Sequence, residues 1–202
     1  MTLALPTSPR FGDDTFTAVA KTVADIKMAA TSIDYIEDLL SSVLDLNKLL
    51  AGKFVLRHER CSLVRDVLEP VALMLSTNAN TTVELSVVAP EDDDLLWVDS
   101  DPLRLKQILM NLTKNAVKFV RSGFIRIGAR REGDRSVVLW VEDSGPGIER
   151  SKAETLFGKY VQLNVEDQGT GIGLALVREL VKAMGGTVSV DFDYVSGCKD
   201  EH

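Results

Sequence analysis

Histidine and cysteine are almost absent: the 202 residues hold two of each, and that scarcity removes several kinds of chemistry at once. Cys61 and Cys198 stand far apart and neither has a C-x-x-C partner, so neither a disulfide framework nor a zinc site is indicated, and the compartment reads as reducing. No apolar run reaches the roughly 18 residues of a membrane span, and no basic stretch followed by an apolar one opens the chain. No membrane contact is expected of these residues, which read as cytoplasmic or as the soluble part of a larger, membrane-anchored protein. Net positive charge is missing too. Lys and Arg total 23 against 30 Asp and Glu, a formal charge of −7, which argues against nucleic acid as a partner because its phosphates reward a basic surface. Repeats and low-complexity tracts are lacking. Against these absences, 45% hydrophobic residues suffice for an ordinary packed core.

The chain divides by pattern. Residues 1–13, with Pro6 and Pro9, read as a flexible lead-in. From Asp14 to about Leu50, apolar residues recur at spacings of three and four (Val19, Val23, Ile26, Ala30, Ile33, Ile36, Leu40, Val43). A helix of roughly 35 residues, about 53 Å long, suits a bundle or coiled coil better than a compact domain. Gly52 marks its end, closing a 14–52 arm, and Lys53 to Leu56 looks extended. Residues 53–202 form the second part. Helical spacing returns over 62–76, where Pro70 imposes a kink or a late start. Strands are expected at Val83–Val88 and Leu95–Val98. Asp101-Pro102 then caps a helix running to Phe119. Phe124–Ala129 and Val137–Val141 read as strands around a Gly133-Asp134 turn. A last helix runs from Gly173 to Gly185-Gly186, and Thr187–Phe192 is expected to close as a strand. The mixture indicates an α+β sandwich with helices on one face of the sheet.

Four segments stand out as candidates for chemistry. Asn111, Asn115 and Lys118, spaced by four and three, share one face of the third helix. An asparagine carbonyl is a hard oxygen donor suited to Mg²⁺, and a lysine nearby offsets phosphate charge; a solvated helix face has the same composition. Val141-Glu142-Asp143-Ser144-Gly145-Pro146-Gly147-Ile148 puts a carboxylate at the end of an apolar strand, ahead of two glycines. Such a carboxylate accepts a hydrogen bond from an exocyclic amine, although Asp-x-Gly-x-Gly alone also describes a simple turn. Leu156-Phe157-Gly158-Lys159-Tyr160 begins an aperiodic stretch of lid-like length, with core anchoring as the other reading of its aromatics. Gly169-Thr170-Gly171-Ile172-Gly173-Leu174-Ala175-Leu176 runs three alternating glycines into a helix, where bare backbone amides bind phosphate. A dinucleotide fingerprint needs a strand directly before the loop, and a P-loop needs Gly-Lys-Ser/Thr; neither is present.

Together and in this order the segments resemble the ATPase domain of sensor histidine kinases, which share the Bergerat fold with gyrase, the ATP-driven heat-shock chaperone and MutL. Asp101-Pro102-x-Arg104-Leu105-x-Gln107-x-Leu109-x-Asn111-Leu112-x-x-Asn115-Ala116-x-Lys118-Phe119 is similar to the family's N box. Asp143-Ser144-Gly145-Pro146-Gly147 is similar to the G1 box, Leu156-Phe157 to the F box, and Gly169-Thr170-Gly171-Ile172-Gly173-Leu174 to the G2 box. The resemblance implies an α/β sandwich with a mixed sheet behind a long N-terminal helix. It implies ATP and Mg²⁺ as cofactors, with Asn115 as metal ligand, Lys118 near the phosphates, and Asp143 on the adenine amine. Gly145, Gly147, Ile148, Phe157, Gly169, Thr170, Gly171, Ile172, Gly173 and Leu174 would complete the nucleotide site. Asn111 stands where hydrolytic relatives carry a water-activating glutamate, which an amide cannot replace, so slow ATP hydrolysis is expected.

The arm, from Asp38-Leu39-Leu40 to Leu44-Asp45-Leu46-Asn47-Lys48-Leu49, resembles the second helix of the family's dimerisation and phosphotransfer hairpin. The first helix, with its phosphoacceptor histidine, has no counterpart here. His202 is terminal, and His58-Glu59-Arg60 lacks the family's proline and a helical setting, so His58 reads as a surface residue. The family's final strand after Thr187–Phe192 is also without a counterpart, since Val195 to Asp200 does not continue that way. The implied function is transfer of the ATP γ-phosphate to a histidine outside this chain. Partners would be a histidine-containing phosphotransfer segment, a response regulator, and a second copy through the arm. The alternatives are a nucleotide-binding pseudokinase or dimerisation module without phosphotransfer, and a serine kinase of the anti-sigma type, which would not need the arm.

Overall fold

The computed structural model describes residues 13–76, 82–90, 96–149, 156–157 and 171–191. The chain falls into two compact units, Met1–Ser41 and Ser42–His202. Helix α1 (Asp13–Leu50) begins in the first and ends in the second. Its 38 residues match the expected arm, and within the first unit its apolar residues face solvent: Phe16, Val19, Ile26, Ile33 and Ile36 are all more than half exposed. In the second unit the same helix buries Asp45 and Leu46. It stops where Gly52 adopts φ 64°, with the Gly52 N–H donating to the Leu49 carbonyl (3.1 Å) and the Lys53 N–H to Lys48 (2.9 Å). These paired bonds satisfy carbonyls that the helix end would otherwise leave bare.

The second unit is an α/β sandwich. Strand β2 (Val83–Val88) pairs in parallel with β4 (Gly123–Glu132), and β4 pairs antiparallel with β5 (Ser136–Asp143), which makes the sheet mixed. A separate antiparallel ribbon joins β1 (Glu59–Ser62) to β3 (Trp97–Ser100). Between β1 and β2 lie a π-helical turn (Leu63–Leu68) and α2 (Glu69–Ser76). Pro70 explains that join. Lacking an N–H, it serves only in a first α-turn, and the Glu69 N–H instead reaches five residues back to Val64.

Helix α3 (Pro102–Phe119) is capped by Asp101, whose side chain accepts from the Arg104 N–H at 3.1 Å. Its buried side is Leu105, Ile108, Leu109, Thr113 and Ala116, and helix α4 (Gly173–Ala183) packs against it through a face of Ala175, Leu176, Val177 and Leu180. Leu63, Val67, Leu68, Val71, Leu96, Leu109 and Ile127 are fully buried in one core between helices and sheet. Removing any such leucine to alanine costs about 2–5 kcal/mol.

Two strand expectations need correction, at Leu95–Val98 and Thr187–Phe192. The first strand lies at Glu59–Ser62, just after the segment expected to be extended, where bonding to Trp97–Ser100 organises a stretch with little apolar alternation of its own. Leu95–Val98 moves to Trp97–Ser100 for the same reason, with Leu95 outside the described residues. Over 62–76 the expected interruption at Pro70 is met: a π-turn precedes an α-helix that begins at Glu69. Thr187–Asp191 keeps alternating burial at Val188 and Val190 but joins no ladder among the described residues, because an alternating pattern supplies a face and not a bonding partner. Phe192 lies outside them.

Candidate nucleotide site

Two glycine-bearing loops, far apart in sequence, meet α3, one at its middle and one at its C-terminal end. At the middle of the helix, a Cβ built on Gly173 would stand 2.9 Å from Asn111 Oδ1, so a larger residue at the start of α4 would displace that side chain. At the C-terminal side, a Cβ on Gly145 would lie 3.5 Å from Val120 Cγ2, on the residue that caps α3. Asn115 sits between these contacts, about 6 Å along the axis from Asn111 and about 7.5 Å from Val120 at 1.5 Å per residue.

The side chains differ in freedom. Asn111 is fixed, its Nδ2 donating to the Gln107 carbonyl at 2.9 Å. Asn115, partly buried, has no hydrogen-bond partner among the described residues. A partly buried amide with open valences fits a hard cation or a phosphate oxygen. Lys118 is exposed, with its Nζ 4.8 Å from the Phe119 ring centroid.

Asp143 ends β5, and its Oδ1 accepts from the Gly145 N–H at 2.8 Å, closing a tight side-chain turn. Its Oδ2 has no protein partner among the described residues. Ser144 pins this corner to the sheet. Its N–H donates to the Phe124 carbonyl at 3.0 Å, and its Oγ accepts from the Phe124 N–H at 2.9 Å. The carboxylate is thereby held at the strand end with one oxygen directed to the loop. Gly147 and Gly171 adopt φ 74° and 66°, which side chains rarely tolerate. The N-cap position of α4 is Ile172, a buried residue whose side chain makes no capping hydrogen bond. Uncapped N–H groups at a helix N-terminus are the donors that a phosphate satisfies.

The remaining expected site residues are placed as follows. Leu156 is buried, Phe157 partly so, and Ile148 and Leu174 flank the two loops. Gly169 and Thr170, with the lid expected between Gly158 and Gln168, lie outside the described residues. His58 is exposed in a non-helical segment. Sequence pattern alone assigns no role to Ser144, nor to a polar cluster at the N-terminal end of α3. There Arg104 Nη1 donates to Asp45 Oδ2 (2.7 Å) and to Gln107 Oε1 (2.8 Å), and Gln107 Nε2 donates to the same Asp45 oxygen (3.1 Å). The signals available were Asp101, Arg104 and Gln107 at helical spacing, and an aspartate inside the apolar run ending α1.

Residues 100–200 match the family described as histidine kinase-, DNA gyrase B- and HSP90-like ATPase, and the chain belongs to that family. Its relatives are sensor histidine kinases. The sensor histidine kinase GacS of Pseudomonas protegens is 37% identical over 169 residues, covering 79% of this chain and 18% of GacS. The circadian input-output histidine kinase CikA of Synechococcus elongatus is 33% identical over 171 residues, covering 82% and 22%. Among solved structures, full-length ShkA in complex with AMPPNP is similar with a TM-score of 0.71 and 29% identity, over 85% of this chain and 36% of ShkA. The Acinetobacter baumannii histidine kinase AdeS shares the fold, with a TM-score of 0.67 at 21% identity over 82% of this chain and 76% of that one. The chain spans about a fifth of the length of these curated relatives. It carries the ATP-binding catalytic domain of this kinase family. No helix among the described residues is long and apolar enough to cross a membrane.

Proposed function

We propose that this chain binds Mg-ATP between the Asp143 corner and the start of α4 and presents the γ-phosphate to a histidine on another segment or chain. The observation that carries the reading is the open amide of Asn115, midway between two loops that both register on α3. Asp143 Oδ2 receives the adenine amine, and Gly145 and Gly147 let backbone approach the ring. The amides around Gly171 and Gly173 hold phosphate oxygens, with Gly169 and Thr170 extending that cradle. Phe157, Ile148, Ile172 and Leu174 supply apolar cover.

Mg²⁺ held by Asn115 would neutralise charge on the transferring phosphoryl group. Lys118, on a long exposed side chain, turns from the Phe119 ring toward the phosphates. The acceptor imidazole nitrogen attacks the γ-phosphorus while the bond to ADP breaks, so the protein's work is positioning and charge compensation. Asn111 offers no base for water, which keeps hydrolysis slow. The exposed stripe of α1 supports pairing with a second copy, and a response regulator would take the phosphoryl group onward.

The test is a transfer assay in which the purified chain and Mg-ATP labelled on the γ-phosphate meet a separate hairpin bearing the family's phosphoacceptor histidine. Acid-labile label on the hairpin is expected, and it should vanish with Asn115→Ala. Tight nucleotide binding without any transfer would replace this reading by that of a nucleotide-regulated dimerisation module.

A further inference from the structure

Asp45 is a buried acid near the end of a helix that is otherwise largely exposed, and its carboxylate lies in the same compact unit as the nucleotide site. One of its oxygens is doubly engaged. Arg104 and Gln107, one turn apart on α3, both donate to its Oδ2, and the Arg104 guanidinium also lies 4.7 Å from the centroid of Phe54 in the connector after α1. Asp101, buried at the head of α3, accepts from the Arg104 N–H through one oxygen and from the connector's Arg57 N–H at 3.0 Å through the other. The last turns of α1 and the connector are therefore fixed to the first turns of α3 by charges withdrawn from water.

This cluster reaches the nucleotide site through a short series of contacts. Gln107 bonds Asp45 with its side chain while its carbonyl accepts Asn111 Nδ2, and Asn111 Oδ1 abuts Gly173 at the start of α4. Residues 104, 107 and 111 share one helical face, so each link touches the next. We infer that Asp45 is a positioning residue for the nucleotide site, setting the placement of Asn111 against Gly173 through Gln107. The inference rests on the nucleotide reading above. Because energetic coupling between sites is reciprocal, bound nucleotide must in turn steady the end of α1 and the connector.

The experiment uses the whole chain, with the non-hydrolysable Mg-AMPPNP as probe, calorimetry for affinity, and hydrogen exchange at the Arg57 amide. Two variants, Asp45→Ala and Gln107→Ala, each break the link; the second leaves the Gln107 carbonyl in place and stands in if the first fails to fold. Each is expected to weaken nucleotide affinity about fivefold, near the lower end of ordinary coupling. The double variant should be no weaker than either single one. Nucleotide should slow exchange at Arg57 several-fold in the unmodified chain and have no such effect in the variants. A mere structural brace would lower the melting temperature while leaving nucleotide affinity and nucleotide-dependent exchange unchanged, and that result overturns the inference. Failure of the unmodified chain to bind the probe would show up separately in the calorimeter and would remove both the nucleotide reading and the coupling built on it.

Discussion

Replacing Asp143 with asparagine separates two jobs that one carboxylate performs. The Asp143 Oδ1 that accepts the Gly145 N–H at 2.8 Å has a counterpart in the asparagine carbonyl, so the turn is retained. The other oxygen becomes an NH₂ group and meets the adenine amine donor to donor. A hydrogen bond to a charged group contributes about 1.5–3 kcal/mol, equivalent to about 10- to 150-fold in dissociation constant. The melting temperature should barely move, since the Ser144 bonds to Phe124 and the turn both persist. Calorimetric titration of Mg-ATP into wild type and Asp143→Asn measures the first quantity, and thermal unfolding without nucleotide measures the second. Equal affinities in the two proteins would refute the assignment of Asp143 Oδ2 to the base. A large fall in melting temperature would show that the turn, and not the ligand contact, was what the substitution removed.

Other outcomes follow from the same geometry. Asn115→Ala should remove most of the Mg²⁺ dependence of nucleotide binding while leaving the fold intact, as read by titrations with and without the metal. Gly128→Ala puts a Cβ within 2.3 Å of Trp140 Cζ2 and 2.6 Å of the Val88 carbonyl oxygen, so it should destabilise by about 1–3 kcal/mol in denaturant unfolding. Burial, followed by the negative charges of Asp66, Glu59, Asp99 and Asp101, raises the Cys61 thiol above its ordinary 9.0. In a Cys198→Ser background, a thiol reagent at pH 8 should therefore label Cys61 far more slowly in the native than in the unfolded chain. The unfolded chain loses this proton first, so the stability held below its pKa should decline as pH rises from about 9 through the raised native value.

Local chemistry accounts for what could be read in advance. Pro102–Phe119 was legible to the residue because Asp-Pro fixes its start and its apolar residues keep helical spacing. The glycine loops were legible as candidates because few other roles require that alternation ahead of a helix. Strand β1 was not, since Glu59-Arg60-Cys61-Ser62 draws its order from Trp97–Ser100. The role of Asp45 was also hidden, because its partner Arg104 lies 59 residues away and its value depends on two elements packing first. Thr187–Asp191 shows the converse: the right alternation without a ladder among the described residues.

The registration of both glycine loops on α3 has an evolutionary corollary. Gly145 seats against Val120 and Gly173 against Asn111, so the two termini of the intervening stretch are anchored independently of what joins them. Changes in its length or composition need not displace either loop. A graft of residues 149–170 from a relative should accordingly leave the seating of Gly145 against Val120 and of Gly173 against Asn111 in place.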